Sequence, residues 1–335
     1  MPANRRFTLV QRPDGMPVDA DFALVSEPTP ALAEGQFLVR NHYASLDPAI
    51  RGWMDDKPSY MPPIKLGDPV RASTLGVVVE SRSEDFPVGV WAAGLSGIEE
   101  YSVFQPKTGR HVDPDAMPSV THYLSVLSGI GLTAYFGLLD VGRPQAGETV
   151  LVSGAAGGVG SLVGQIAKMK GCRTVGIAGG PRKCERLLRD YGYDAAIDYR
   201  GKTPEQLVAA IRAAAPNGVD VQFENVGGEI LDAGLMTLNP KARVVLCGMI
   251  SQYNSAPVPS HNLWQLLVKG ARIEGFIMTQ YIHRTGEAVP QLAAWVKEGK
   301  LRVDEHIDEG IENALPAFMR LFEGTNEGKM ILKLS

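Results

Sequence analysis

The chain has 335 residues, which is more than a single hydrophobic core usually fills, so we expect two domains. Its composition is typical of a globular protein, with 44% hydrophobic and 21% charged residues. The net charge is −4 and there is no basic run, so we expect no nucleic-acid partner. The sequence shows neither an apolar signal segment nor an apolar run of membrane-spanning length, which predicts a cytoplasmic protein with no membrane role.

The first part of the chain, residues 1–124, predicts a domain of short strands. It is rich in glycine, proline and short β-branched runs such as GVVVESR and EYSVF, with little helical periodicity before Ser119. A helical pattern, HYLSVLSGIGLTAYFGLLDVG, then begins near residue 122 and leads into a different kind of sequence. We therefore place the domain boundary at residue 124.

Residues 148–170 predict a strand, a glycine-rich turn and a helix in direct succession. The strand covers residues 149–153 and the turn residues 154–160. Such a turn directs backbone N–H groups and the positive end of the helix dipole at one spot, where a pyrophosphate can bind. The pattern departs from G-x-G-x-x-G because Ala155 occupies the first position, so the alternative is a tight turn in an ordinary α/β domain. The turn residues assigned to the cofactor are Gly157, Gly158, Val159 and Gly160.

Strand and helix patterns then alternate as far as residue 278. The later strands are CRTVGIAGG, DAAIDY, GVDVQFENVGG, ARVVLCG and ARIEGFIM, separated in most places by helical patterns. Six strands with crossover helices predict an α/β fold with a Rossmann doubly wound parallel sheet over residues 125–299, and its ligand at the carboxyl ends of the strands. Residues 300–335 carry a helix and a strand too many for that sheet, so we expect this tail to complete the first domain.

The end of the second strand favours NADPH over NADH. An NAD enzyme usually carries an acid there for the ribose 2′-hydroxyl, whereas this strand ends Ala178-Gly179-Gly180. Arg182 and Lys183 follow, and a cation at this place can pair with a 2′-phosphate. The alternative is a solvated first helical turn, although cations are disfavoured at that end of the helix dipole.

Several segments resemble the zinc-independent medium-chain dehydrogenase/reductase family, in particular its NADPH-dependent alkenal, prostaglandin and curcumin reductases. The segments are SLDPAIRG, GLTAYFGL, GAAGGVGSLVGQIAKMKGC, FENVGG, CGMISQYN and GTNEGKMILK. They follow the family's order and run nearly from end to end. The resemblance implies a GroES-like substrate domain beside the Rossmann domain.

The resemblance also implies a set of cofactor contacts outside the glycine-rich turn. These residues are Thr133, Gly179, Lys183, Tyr199, Asn225, Cys247, Ser251, Tyr253, Met278 and Asn326. Lys183 and Tyr199 would hold the 2′-phosphate end, and Asn326 would reach the cofactor from the C-terminal tail. Thr133 and Met278 would flank the nicotinamide. The adenosine and ribose path would be lined by Asn225, Cys247 and Ser251.

The expected substrate cleft departs from the family pattern at two places. Family members commonly have the motif D-P-Y-M-R, whereas residues 47–51 of this chain are DPAIR, with Ala49 and Ile50 in place of Tyr and Met. They also often have Tyr where this chain has Thr279. The candidate cleft residues are Tyr43, Asp47, Arg51, Tyr60, Met61 and Thr279. For Asp47 and Arg51 we favour an internal ion pair that fixes the loop, with shaping of the cleft as the alternative.

No metal site is expected. Zinc-dependent relatives carry a cysteine ligand in the first domain, whereas the three cysteines here, Cys172, Cys184 and Cys247, all lie in the second. They fit a reducing compartment and packing roles better than a redox sensor. The histidines of the first domain, which show no paired ligand spacing, are His42, His111 and His122.

Without a metal, conjugate reduction of an enone suits the site better than direct reduction of a carbonyl. Hydride would add to the β-carbon, and a hydrogen-bond donor would stabilise the enolate oxygen. The candidate donor is Tyr253, which follows the fifth strand. The alternative is an aromatic wall at Tyr253, with the proton supplied by a ribose hydroxyl or by water.

Two other functions remain open, a zinc-independent NADPH quinone reductase and a non-catalytic NADPH-binding protein. The fold cannot separate the two reductases, because one fold hosts many activities. By resemblance we also expect a homodimer formed through the sixth strands, around residues 272–278.

Overall fold

The computed structural model describes residues 3–334. In chain order, its strands are β1 (Ala3–Leu9), β2 (Phe22–Pro28), β3 (Phe37–Ser45), β4 (Arg71–Ser81), β5 (Trp91–Gly97), β6 (Tyr101–Phe104), β7 (Gly109–Val112), β8 (Thr149–Val152), β9 (Arg173–Ala178), β10 (Ala195–Asp198), β11 (Val219–Glu224), β12 (Leu238–Leu246), β13 (Arg272–Gly275), β14 (Glu305–Glu309) and β15 (Lys329–Lys333). The α-helices are α1 (Ala49–Met54), α2 (Gly129–Phe136), α3 (Gly158–Met169), α4 (Pro181–Arg189), α5 (Pro204–Ala214), α6 (Gly228–Leu235), α7 (Trp264–Lys269), α8 (Thr285–Lys297) and α9 (Ala314–Glu323).

The chain divides into two compact units. One unit, the β-rich unit, joins Met1–Ser125 to Glu305–Ser335, and the other, the nucleotide unit, is Val126–Asp304. Among the residues that the structure describes, no helix is long and apolar enough to cross a membrane.

The nucleotide unit is built on one six-stranded parallel sheet in the order β10-β9-β8-β11-β12-β13. This order places the third, second, first, fourth, fifth and sixth strands of the unit side by side, as in a doubly wound dinucleotide-binding fold. The central strands are buried on both faces, and β8 is apolar and buried along its length. The predicted Rossmann sheet is confirmed. Its crevice lies between β8 and β11, where the strand order reverses.

The β-rich unit contains a seven-stranded sheet and a separate hairpin. The sheet runs β14-β15-β3-β4-β5-β7 with β6 paired to β3, and β1 pairs with β2. The last strand, β15, is antiparallel to β3 and parallel to β14. One core stacks Phe37 against Phe86 and Phe104, and a second lies against α1 and α9. The predicted β-rich fold of this part is confirmed.

The segment before β8 is less regular than the sequence predicts. A continuous helical pattern begins near residue 122, but the structure has a 3₁₀ turn at Val120–Tyr123, then α2, then a π-helical turn at Gly137–Gly142. A Cβ at Gly131 would lie 1.8 Å from the Val126 carbonyl oxygen, so the backbone folds tightly against the start of α2. Hydrophobic periodicity does not register this close approach, and it therefore overextends the helix.

Candidate cofactor-binding site

The glycine-rich turn after β8 forms a cradle of backbone N–H groups. Gly154 takes a positive φ of 57°, and a Cβ at Gly160 would lie 2.4 Å from the Gly154 carbonyl oxygen. Glycine at position 160 therefore lets α3 begin directly against the turn. The backbone N–H groups of Gly158, Val159 and Gly160 donate to no acceptor among residues 3–334. Such unused donors at the start of a twelve-residue helix suit a pyrophosphate.

A buried tyrosine, Tyr193, holds this cradle in place, and the sequence did not predict that role. The Tyr193 hydroxyl donates to the Gly160 carbonyl oxygen at 2.7 Å. Its ring fills the space over Gly164, where a Cβ would come within 2.0 Å of it. Burial raises the pKa of Tyr193, so the phenol stays protonated and remains a donor. Only the fold brings Tyr193 to this helix, since it follows α4.

The end of β9 forms a cationic corner that suits a 2′-phosphate. A Cβ at Gly179 would lie 3.2 Å from the Tyr199 hydroxyl oxygen and 3.1 Å from Arg200 Nε, so both side chains lie over this glycine. The Gly180 N–H donates to Asp198 Oδ1 at 2.8 Å, which fixes the turn into α4. Lys183 lies in the first turn of that helix and is half-buried.

Arg200 is a second residue that sequence reasoning missed. Its guanidinium makes no ion pair among the residues that the structure describes. A Cβ atom added to Gly180 would lie 3.5 Å from its Nη1, so the guanidinium lies beside this glycine. The signal was present, because Arg200 directly follows Tyr199 at the end of β10. An exposed guanidinium at this place adds a bidentate donor to the corner.

The turns after β11 and β12 carry the next group of predicted cofactor residues. Asn225 donates through its backbone N–H to Ser153 Oγ at 2.8 Å and through Nδ2 to the Ser153 carbonyl at 2.7 Å. The exposed Ser251 donates its hydroxyl to the Val226 carbonyl at 2.6 Å. Burial, with the nearby Glu224, raises the pKa of Cys247 to about 12.

Tyr253 ends a short 3₁₀ turn after β12. Its hydroxyl oxygen accepts a hydrogen bond from the Met249 N–H at 3.3 Å. A Cβ at Gly248 would lie 3.0 Å from this oxygen, so the phenol lies against the backbone that leaves the strand. The residue is half-buried, at a strand's carboxyl end where catalytic groups collect in such sheets.

The residues predicted to flank the nicotinamide lie on neighbouring elements of the nucleotide unit. Thr133 is half-buried in α2, and Met278 begins the 3₁₀ segment Met278–Arg284. A Cβ atom added to Gly129 would lie 3.8 Å from Met278 Cε. Gly129 is one helical turn before Thr133 in α2. The next residue, Thr279, is exposed.

Asp47 and Arg51 form ion pairs, with partners that the sequence did not predict. Lys329 Nζ lies 3.1 Å from Asp47 Oδ1, and Arg51 Nη1 lies 2.7 Å from Asp55 Oδ1. Arg51 also donates to the Pro13 carbonyl oxygen at 3.1 Å. The prediction favoured an internal ion pair at Asp47 and Arg51 that fixes the loop after a strand. The partner of Asp47 comes instead from β15, far along the chain.

Lys329 is a fully buried lysine with two carbonyl acceptors and one ion-pair partner. Its ammonium donates to the carbonyl oxygens of Leu46 at 2.6 Å and Met330 at 2.8 Å, besides contacting Asp47. Burial lowers the pKa of Lys329, and Asp47 opposes this change. The lysine therefore joins the loop after β3 to the first residues of β15.

The remaining predicted residues of the β-rich unit lie on separate segments of the chain. Tyr43 is half-buried in β3, and Tyr60 is 46% exposed with its ring edge on Trp53, 6.4 Å between centroids. Met61 is half-buried. Asn326 is buried and donates through Nδ2 to the Gly328 carbonyl at 2.9 Å. All four residues lie in the β-rich unit.

The histidines of the β-rich unit have packing environments. His42 lies beside the Trp91 ring, and His111 stacks on Phe86 with 4.1 Å between ring centroids. His122 is buried, and that burial lowers its pKa. Across residues 3–334, no group of three or more His, Cys, Asp or Glu side chains is placed to hold a metal ion.

Three features define a dinucleotide-binding protein: a doubly wound sheet, a cradle of unused N–H groups at its crevice, and a cationic corner beside the second strand. Residues 5–112 match the family model described as the N-terminal domain of oxidoreductase, and residues 158–298 match that described as zinc-binding dehydrogenase.

Relatives named for an activity match most or nearly all of the chain. The NADPH-dependent curcumin reductase of Escherichia coli is 40% identical over 99% of this chain and 97% of its own length. The 2-alkenal reductase (NADP(+)-dependent) of Nicotiana tabacum is 38% identical over 89% of this chain and 87% of its own. The crystal structure of CurA from Vibrio vulnificus in complex with NADPH has a TM-score of 0.93 and 39% identity, over 99% of each chain. The chain therefore belongs to the medium-chain dehydrogenase/reductase family, in its zinc-independent branch.

Proposed function

We propose that this protein is an NADPH-dependent reductase of the carbon–carbon double bond in α,β-unsaturated ketones and aldehydes. NADP(H) is its cofactor, and the main support within the chain is the corner over Gly179, which has cations and lacks the acid of an NAD enzyme. Relatives named as curcumin and 2-alkenal reductases support the substrate class. The site thus supports the cofactor, and the relatives support the class of reaction.

Bound NADPH supplies a hydride to the substrate's β-carbon. The electron pair of the double bond then moves toward the carbonyl oxygen, and the resulting enolate takes a proton at the α-carbon. We assign the stabilisation of that oxygen to Tyr253. A phenol can donate a hydrogen bond as well as accept one, so this side chain has the chemistry that the role requires. A donor aimed at a developing oxyanion contributes mainly in the transition state.

The Asp47 carboxylate is a poor candidate for this role because it is engaged with Lys329 and accepts from Ser45 Oγ at 2.6 Å. The alternative for Tyr253 is an aromatic wall, with the proton coming from a ribose hydroxyl or from water. Because Asp47 and Arg51 are held in ion pairs, they would shape the cleft only indirectly, through the loops that these ion pairs hold in place.

The deciding experiment is a substrate panel that follows NADPH absorbance, with a short 2-alkenal, an enone and a quinone. We expect turnover of the alkenal and the enone, and much less with NADH in place of NADPH. Turnover of the quinone alone would support the quinone reductase alternative. Tight NADPH binding without turnover of any compound would support the non-catalytic alternative.

We also propose a homodimer in which the sixth strands, β13, pair edge to edge. All four residues of β13 are exposed, and β13 pairs only with β12 among the described strands. Beside it, α7 exposes Trp264, Leu267 and Val268, between 54% and 68% of each residue. An apolar surface next to an open strand edge fits a second copy of the same chain.

Light scattering tests the dimer directly, and we expect twice the mass of one chain. Leu267→Glu should give a monomer, whereas Leu188→Glu, at an exposed apolar residue of α4, should not. A wild-type monomer would contradict the proposal. The cytoplasmic location and the lack of nucleic-acid or membrane partners stay predictions.

A further inference from the structure

Glu224, the last residue of β11, is a fully buried acid beside the cofactor cradle. Its Oε1 accepts from Ser153 Oγ at 2.6 Å, from the Val226 N–H at 2.7 Å and from the Gly227 N–H at 2.8 Å. Its Oε2 accepts from Gln222 Nε2 at 2.9 Å. Four donors on one enclosed side chain make this the centre of a polar network, and such networks are costly unless every member is satisfied.

Burial raises the pKa of Glu224, and the hydrogen bonds from Ser153, the turn and Gln222 oppose this change. Oε1 is an acceptor in either protonation state, because three donors already surround it. A proton would therefore lie on Oε2, beside the Gln222 side chain. Gln222 Oε1 is buried and has no hydrogen-bond partner within residues 3–334, so the amide can turn to accept that proton.

These donor and acceptor assignments fix the orientation of Asn225. Because Glu224 Oε1 only accepts, the Ser153 hydroxyl must donate to it, which leaves the Ser153 lone pairs to accept the Asn225 N–H. The Ser153 carbonyl also only accepts, so the side chain of Asn225 must present Nδ2 to it. The amide oxygen, Oδ1, therefore faces away from Ser153.

Asn225 lies where the ligand crevice is expected. Its Cβ is 3.5 Å from a Cβ position at Gly154, the first residue of the glycine-rich turn. Ser153 directly precedes that turn, so β8 and β11 are joined at the point where the strand order reverses. Asn225 is half-buried, and its Oδ1 accepts no hydrogen bond from the described residues. A ligand that meets this oxygen must offer a donor. A dinucleotide offers the ribose hydroxyls, the adenine amino group and the nicotinamide carboxamide, and of these the ribose hydroxyls lie nearest the pyrophosphate that the adjacent turn suits.

We propose that Glu224 is a positioning residue for the cofactor: through Ser153 it holds Asn225 so that the amide oxygen accepts from a ribose hydroxyl of NADP(H). The proposal rests on the cofactor and not on the enone substrate. Its test uses binding without substrate, so failure of the proposed reaction would leave the result interpretable.

The experiment measures Kd for NADPH and NADH by cofactor fluorescence, together with Tm, in the full-length protein. Glu224→Met removes all four acceptor contacts and should weaken both cofactors by about ten- to a hundredfold, in the same ratio. Glu224→Gln keeps an acceptor at Oε1 and can donate to Gln222 Oε1, so Kd should stay within about threefold of wild type. The control is Thr237→Val, which removes a buried hydroxyl that donates to Gly234 at 2.7 Å away from the cradle. It should lower Tm without changing either Kd.

Two further variants keep the proposal testable if Glu224→Met does not fold. Asn225→Asp puts an acceptor opposite the Ser153 carbonyl, so the side chain must turn and both cofactors should bind at least about tenfold more weakly. Ser153→Ala breaks the link and should act in the same direction. Unchanged Kd values in Asn225→Asp and Ser153→Ala would overturn the proposal. So would a Glu224→Met protein that folds with a lowered Tm and binds both cofactors normally, because that is the result of a purely structural role.

Discussion

The nucleotide unit leaves its candidate polar side chains within reach of solvent, whereas the β-rich unit encloses its charged candidates in ion pairs. Tyr199 is 40% exposed and Ser251 is exposed, both in turns that follow parallel strands. By contrast, the Lys329 side chain is 3% exposed and that of Arg51 is 4% exposed, each against a carboxylate. We propose that the first group acts on a ligand and that the second holds loops in place. Substitutions in the two units should therefore differ in what they change.

The largest effect is expected from breaking the buried pair of the β-rich unit. Asp47→Asn leaves the enclosed Lys329 ammonium without its counterion, and losing one partner of a buried pair costs about 3 to 5 kcal/mol of unfolding free energy. We expect the lower end, because the Asp47 side chain is 26% exposed. Chemical denaturation measures the change. Asp47→Asn/Lys329→Met, which removes both charges, should recover much of the loss. An Asp47→Asn protein of wild-type stability would refute the structural role.

The same pair predicts the pH dependence of stability. Burial lowers the pKa of Lys329 in the folded chain, whereas the unfolded chain keeps the ordinary lysine value. Between the two values the unfolded state binds more protons, so the unfolding free energy rises with pH in that window. Asp47→Asn lowers the folded pKa further, so the rise should begin at a lower pH than in wild type. Denaturation curves from pH 7 to pH 10 would show this, and parallel profiles would contradict it.

In the nucleotide unit the largest effect is expected on turnover. Tyr253→Phe should lower kcat on an enone by roughly ten- to a thousandfold, about 1.4 to 4 kcal/mol, and leave NADPH affinity nearly intact. If Tyr253 is instead an aromatic wall, the phenylalanine variant will be as fast as wild type. In that case Tyr253→Ala will mainly raise KM. Kinetics of both variants on one enone distinguish the two roles.

A smaller effect is expected on cofactor choice. Lys183→Ala should weaken NADPH by about ten- to a hundredfold, or roughly 1.5 to 3 kcal/mol, with little change for NADH, because only NADPH carries the 2′-phosphate. Arg200→Ala should act in the same direction. Lys170→Ala, at an exposed lysine that ends α3, serves as the control. Both site variants should keep the unfolding free energy within about 0.5 kcal/mol of wild type. If the binding of both cofactors is weakened equally, Lys183 is structural. The nucleotide unit and the β-rich unit would then not differ in the role of their charged side chains.

The smallest effect is expected at the thiols. Burial raises the pKa of Cys172 to about 11 and that of Cys247 to about 12, so almost no reactive thiolate exists near pH 7. Incubation with a short 2-alkenal at pH 7 should leave activity unchanged, and alkylation should accelerate as the pH rises toward those values. Rapid modification of Cys247 at pH 7, detected by mass spectrometry, would contradict this and revive a redox or electrophile-sensing role.

The sequence alone determined the features that depend on neighbouring residues. The apolar run before the glycines predicted β8, the alternation of strand and helix patterns predicted the six-stranded sheet, and the missing acid after Ala178 predicted the cofactor. Each signal is local, since a strand, a glycine turn and a helix start are specified within a few residues of one another. The sequence predicted too long a helix where the backbone packs tightly against its own earlier residues, as it does at Gly131.

Only the tertiary structure decided which distant side chains meet. Asp47 pairs with Lys329 across 282 residues of sequence. Glu224 meets Ser153, and Tyr193 meets Gly160, because parallel pairing and helix packing bring separate segments together. A buried charge or hydroxyl must find a partner wherever the fold supplies one, and no spacing rule encodes that partner. The sequence therefore specified the cradle for the cofactor, and the fold specified the side chains that hold the cradle in shape.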